Sequence, residues 1–124
     1  MKAYVLLCAS LIAVDQLLKL VLPTPYWGMD PRGFSPVAVG LGIVFALILA
    51  AYPPIRLGGT IMLAGIVSNV WSATHGDVAN PFVIGDRAFN LADIMLVAGF
   101  IVIVASVPAV FTDIRERGTA RGWK

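Results

Sequence analysis

Two carboxylates stand where an apolar chain should avoid them. Asp93 sits at the mouth of about twenty apolar residues, and Asp15 lies inside another such run, with Gln16 beside it and Lys19 one helical turn further on. Ionisable groups in segments of this kind are costly and usually mark a site. A carboxylate in such a place can give or take a proton. Asp93 is the candidate acid. The other acids near these segments are Asp77 and Asp86, in the connection that precedes it, and Asp15.

Structural roles compete for the same residues. Asn90 and Asp93 have the spacing of a helix capping box, and a carboxylate in a first turn suits the positive end of the helix dipole. Asp15 and Lys19 are an i,i+4 pair of opposite charge, expected to neutralise itself near the headgroups with Lys19 snorkelling outward. Asn69 reads as an interhelical hydrogen bonder. His75 is the only histidine, too few ligands for a metal, and reads as an exposed loop residue. Cys8, the single cysteine, reads as a small lipid- or core-facing residue. No metal or cofactor is expected.

The elements that must position these groups are apolar. Of 124 residues, 59% are hydrophobic and 13% charged, against about half and a quarter in a soluble domain. The net charge of +2 is small and scattered, which argues against nucleic acid as a partner. Four segments, 3–22, 36–52, 57–73 and 91–111, are long enough to cross a bilayer as helices, the middle two only just. Pro23, Pro25, Gly28, Pro31 and Gly33 break the first connection, Pro53 and Pro54 the second, and Gly76, Pro81 and Gly85 the third. The tail 112–124 is polar and basic. The first segment reads as a retained helix, because Asp15, Gln16 and Lys19 interrupt it and no A-x-A site follows.

Lys2, Arg56, Arg115, Arg117, Arg121 and Lys124 fall on one side of these spans, Arg32 and Arg87 on the other. The bias puts both termini in the cytoplasm. Asp15, Gln16, Lys19, Asn69, Ser72, Asn90 and Asp93 then share one depth, near the outer leaflet. Tyr26, Trp27 and Phe34 suit an aromatic belt at that surface, or a lid over a groove, and Trp123 a cytoplasmic anchor. Helix three carries Gly58, Gly59, Ala64, Gly65, Ser68 and Ser72, a face that allows close helix approach. The expected fold is all-α, an integral membrane four-helix bundle forming one domain over 1–124.

Three short motifs, in order, resemble the lipoprotein signal peptidases (signal peptidase II). They are 15-DQLLK-19, 64-AGIVSN-69 and 89-FNLAD-93. The resemblance covers nearly the whole chain. It implies an intramembrane aspartic endopeptidase of the cell membrane that removes signal peptides from lipid-modified prolipoproteins. Asp93 would then be one member of a catalytic dyad, with Asp15, Gln16, Lys19, Asn69 and Asn90 in support.

The chain departs from that pattern at defined places. In 78-VANPF-82, Asn80 stands where the resemblance implies the other catalytic Asp. In 69-NVWSA-73, Ser72 and Ala73 replace an expected Asp–Arg pair, and only 33-GFS-35 is similar to the family's first-loop element. An Asn can neither take nor share a proton. Asp77, three residues before Asn80, would share its face if that segment were helical. Three readings follow. The chain is a peptidase with a relocated acid, or an inactive relative that binds a lipidated or transmembrane helix, or a structural or transport-associated membrane bundle. Membrane lipids are expected partners of all three.

Overall fold

The computed structural model describes residues 1–30 and 35–120. Pro31, Arg32, Gly33, Phe34, Arg121, Trp123 and Lys124, to which the sequence assigns breaker, belt, anchor or orienting roles, lie outside the described residues.

The chain is mostly helical. The helices are α1 (Lys2–Val21), α2 (Pro36–Ala51), α3 (Arg56–Thr74), α4 (Leu91–Ala105) and α5 (Val107–Ala120). Lys2–Val21 and Pro53–Thr74 are each long and apolar enough to cross a membrane, and α4 with the bent continuation into α5 makes a third if counted as one span. Helix α2 is apolar but has 16 residues, about 24 Å of rise.

Local chemistry sets the helix ends. Helix α1 stops before Pro23, because the residue preceding a proline is pushed out of helical geometry. Helix α2 starts with Pro36, whose missing N–H would be unpaired there in any case. Its last carbonyls are met by Arg56, which donates to Ala50 O at 3.2 Å and Ala51 O at 3.1 Å across the Pro53–Ile55 turn.

Helix α3 is the centre of the molecule and packs against α1, α2 and α4. Its small residues make this possible. A Cβ on Gly65 would come within 2.6 Å of Ala92 O, and one on Gly58 within 2.6 Å of Gly99 O. The buried interior is therefore small and polar: Ala64, Ala92 and Met95 beside Asp15, Ser68, Asn69, Asn80 and Asn90. Large apolar side chains such as Leu6, Leu20, Ile48 and Phe100 point outward.

Two features depart from the expected all-helical outline. Short strands close the connections: β1 (Met29–Asp30) pairs antiparallel with β2 (Val78–Ala79), and β3 (Phe82–Ile84) with β4 (Arg87–Phe89). Two or three residues are too few to show strand alternation in a sequence. Gly85 starts the β3–β4 turn at φ +61°, as a Gly-first hairpin turn requires.

The fourth apolar segment does not run unbroken to 111. Helix α4 ends at Ala105, the axis bends by 46°, and α5 continues through most of the stretch read as a polar tail. Pro108 has no N–H to offer the preceding turn, and the Ser106 hydroxyl donates to Val102 O at 2.7 Å. Tyr52 Oη donates to Asp113 at 2.8 Å, tying α5 to the end of α2.

Candidate functional site

The polar residues of α1, α3 and α4 form one connected cluster. Its deepest member is Asp15, fully buried. Asp15 Oδ2 accepts the Ser68 hydroxyl at 2.7 Å and pairs with Lys19 Nζ at 2.6 Å, while Oδ1 accepts the Ala92 backbone N–H at 2.9 Å. A side chain of α1 thereby satisfies one of the N–H groups that the first turn of α4 leaves without a helical partner.

Lys19 does not snorkel. Its side chain is 6% exposed, and Nζ also donates to Asn69 Oδ1 and Ser72 Oγ, each at 3.1 Å. Three acceptors match the three N–H bonds of an ammonium group. The reason for the inward course is geometric: the α1 face that carries Asp15 and Lys19 is the face that meets α3. Gln16 Nε2 donates to Ser68 Oγ at 2.7 Å, and to Ser68 O and Ser72 Oγ at 3.1 Å.

Asn69 links this half of the cluster to Asp93. Lys19 can only donate, so Asn69 must turn its oxygen to Lys19 and its amide N–H to the other side. Asn69 Nδ2 then donates to Asp93 Oδ1 at 2.9 Å. Asp93 also completes the capping box: its Oδ2 accepts Asn90 N–H at 3.2 Å, and Asn90 Oδ1 accepts Asp93 N–H at 3.0 Å. One side chain thus caps α4 and joins it to Asn69 of α3.

The same orienting logic reaches Asn80. With Asn90 Oδ1 committed to the helix, Asn90 Nδ2 donates to Asn80 Oδ1 at 2.7 Å and, more weakly, to Ala79 O at 3.4 Å. Asn80 N–H donates to Gly28 O at 3.0 Å. Gly28 is a site residue that sequence reasoning treated as a mere breaker. A Cβ there would sit 2.8 Å from Asn80 O, so only glycine lets the first connection lie against Asn80. Ser68 was likewise read for its size alone, yet its hydroxyl bridges Asp15 and Gln16. No buried side-chain N or O among the described residues lacks a partner.

The remaining acids stand elsewhere. Asp77 precedes a strand rather than lying on a helix, so the i,i+3 spacing does not bring it beside Asn80; Asp77 is exposed and Asn80 buried. Asp86 is exposed at the tip of the β3–β4 hairpin. His75 stacks on Trp71, ring centroids 4.4 Å apart, and the described residues contain no cluster of three metal-ligating side chains.

Apolar grooves flank the Asn69–Asp93 bond. Asn69 borders a cleft of about 230 Å³ lined by Ala38, Val39, Gly42, Ile66, Val70 and Leu96. Asp93 borders a groove of about 440 Å³ lined by Phe89, Ile94, Val97, Ala98 and Ile101. Chemically, the arrangement offers two carboxylates beside apolar surface, Asp15 paired with Lys19 and Asp93 held by amides. Comparison of the chain with protein-family models, curated proteins and solved structures finds no match.

Proposed function

We propose that this chain is a divergent relative of the lipoprotein signal peptidases that holds a lipid-modified or transmembrane helix without cutting it. In this reading it is a four-span bundle of the cell membrane with both termini cytoplasmic and its polar cluster toward the outer leaflet. Three motifs support the kinship. Their residues, Asp15, Gln16, Lys19, Asn69, Asn90 and Asp93, are joined by hydrogen bonds into one cluster rather than scattered.

The observation that carries the loss of cleavage is Asn80. It is buried next to the cap of the helix that bears Asp93, and it is an amide. A missing acid–base group costs about 10²–10⁴ in rate, and more when two groups act as a unit. Asp15 does not make good the loss, because Lys19 holds it in a buried ion pair. Apolar grooves on both sides of Asn69–Asp93 favour retained binding.

The test is cleavage and photo-crosslinking of a lipid-modified prolipoprotein peptide by purified protein in detergent, beside Asp93→Asn, Asp77→Asn and Asn80→Asp. A carboxylate at position 80 would accept the same Asn90 N–H, so Asn80→Asp keeps the local fold. Crosslinking without cleavage by the parent, and cleavage gained in Asn80→Asp, is the expected result. Cleavage by the parent that vanishes in Asp93→Asn would make the chain a peptidase with a relocated acid. Neither crosslinking nor cleavage in any variant would leave a structural bundle.

A further inference from the structure

The segment after the bend carries a feature that the cluster does not use. On α5 at 100° per residue, Val107, Val110, Phe111 and Ile114 fall within an arc of about 100°. Val107 is 41%, Phe111 68% and Ile114 56% exposed, and Val110 half-buried. Arg115 and Arg117 lie at the two edges of this stripe, and Thr112, Glu116 and Thr119 lie opposite. An apolar stripe bordered by arginines is how a helix meets the boundary between acyl chains and headgroups.

The geometry points to α5 as a membrane-surface helix, with its Val107–Phe111–Ile114 stripe set into a bilayer and Arg115 on anionic headgroups. Helix α4 has 15 residues, about 22 Å of rise, and falls short of a hydrocarbon layer of about 30 Å. The first turn of α5 adds about 5 Å along its own axis and extends the apolar path toward that thickness. The 46° bend then turns the helix toward the membrane plane instead of straight into water. The hydrogen bond from Tyr52 to Asp113 holds that angle from the flank of the stripe, on the Arg117 side.

The two arginines are not equivalent. Arg117 Nε pairs with Asp113 at 2.8 Å, which offsets its attraction to lipid phosphate. Of the two, Arg115 therefore carries more of the dependence on anionic lipid. This inference needs only a membrane-crossing chain, so it stands or falls apart from the peptidase kinship.

The test uses the full chain in vesicles of phosphatidylcholine and of an equimolar phosphatidylcholine–phosphatidylglycerol mixture. Cys8→Ala clears the single cysteine, and an environment-sensitive fluorophore is placed at Ile114→Cys, Glu116→Cys or Thr112→Cys. The expected result is quenching by spin-labelled lipid at 114 but not at 112 or 116, with a larger docked fraction of α5, read from the fluorophore at 114, in the anionic mixture. Arg115→Gln should lower the docked-to-undocked ratio of α5 about fivefold, and Arg117→Gln by less. Equal quenching at 112, 114 and 116 would mean that α5 continues a span. No quenching at any position would mean that the stripe faces water or a protein. Either overturns the inference, as does a docked fraction of α5 indifferent to phosphatidylglycerol.

Discussion

Asp15 on α1 accepts the backbone N–H of Ala92 on α4 at 2.9 Å, a bond between residues 77 positions apart. The same carboxylate is the counter-ion of Lys19. One side chain thus joins the first helix to the cap of the helix that carries Asp93, and its removal should be felt at both ends.

The Asp15–Lys19 pair should show strong non-additivity. Asp15→Asn leaves the Lys19 charge buried without its counter-ion, a change that typically costs about 3–5 kcal/mol. Asp15→Leu combined with Lys19→Leu removes both charges and should cost clearly less than Asp15→Asn alone. Thermal unfolding in a mild detergent measures this. A double variant as unstable as the sum of its single changes would show that the pair is not a unit.

Asn69 should couple to Asp93. Lys19 orients the Asn69 amide, and the amide donates to Asp93 at 2.9 Å. A double-mutant cycle with Asn69→Ala and Asp93→Ala should give a coupling of about 1 kcal/mol, the scale of interhelical hydrogen bonds in membranes. Additive losses would mean that the contact contributes nothing to stability.

The glycines of the helices should divide sharply. Gly65→Ala places a methyl 2.6 Å from Ala92 O, a backbone atom that cannot step aside alone. It should cost about 1–3 kcal/mol and loosen the N-terminal turn of α4. Gly40→Ala meets nothing within 4 Å and should be neutral or stabilising by up to about 1 kcal/mol, as alanine is the better helix former. Resistance to unfolding by sodium dodecyl sulfate compares the two. Similar behaviour would contradict the close α3–α4 contact.

The attachment of α5 should depend on pH. The Tyr52 hydroxyl, and then Arg117, hold the Asp113 carboxyl below its ordinary value. A depressed folded-state value means that the contribution is present above the ordinary carboxylate range. It is lost as pH falls through the lowered value, below about pH 4. Tyr52→Phe should raise the Asp113 value toward normal. Carbon-detected NMR titration of the Asp113 carboxyl checks this, and an unchanged titration would assign the shift to Arg117 alone.

What the sequence determined by itself is whatever depends on near neighbours along the chain. The apolar segments, the proline breaks between them, the Asn90–Asp93 cap and the small face of α3 all follow from spacings of three or four residues. So does the gathering of polar groups toward one end of the segments. The last segment is the exception: its hydropathy predicts one span over 91–111, and only the structure shows that the helix bends by 46° just before Pro108.

Tertiary structure decided the rest, because those contacts join residues far apart in the chain. Whether Lys19 turns outward to headgroups or inward to Asn69 depends on which face of α1 meets α3, and the i,i+4 spacing to Asp15 permits both. The strands that seat Asn80 against Gly28 are too short to leave a pattern, yet they make the approach to Asn80 extended rather than helical and so leave Asp77 exposed. A carboxylate can be read from a sequence. The helix it caps and the amide beside it depend on how α1, α3 and α4 pack, and that packing follows from glycines small enough to let two backbones nearly touch.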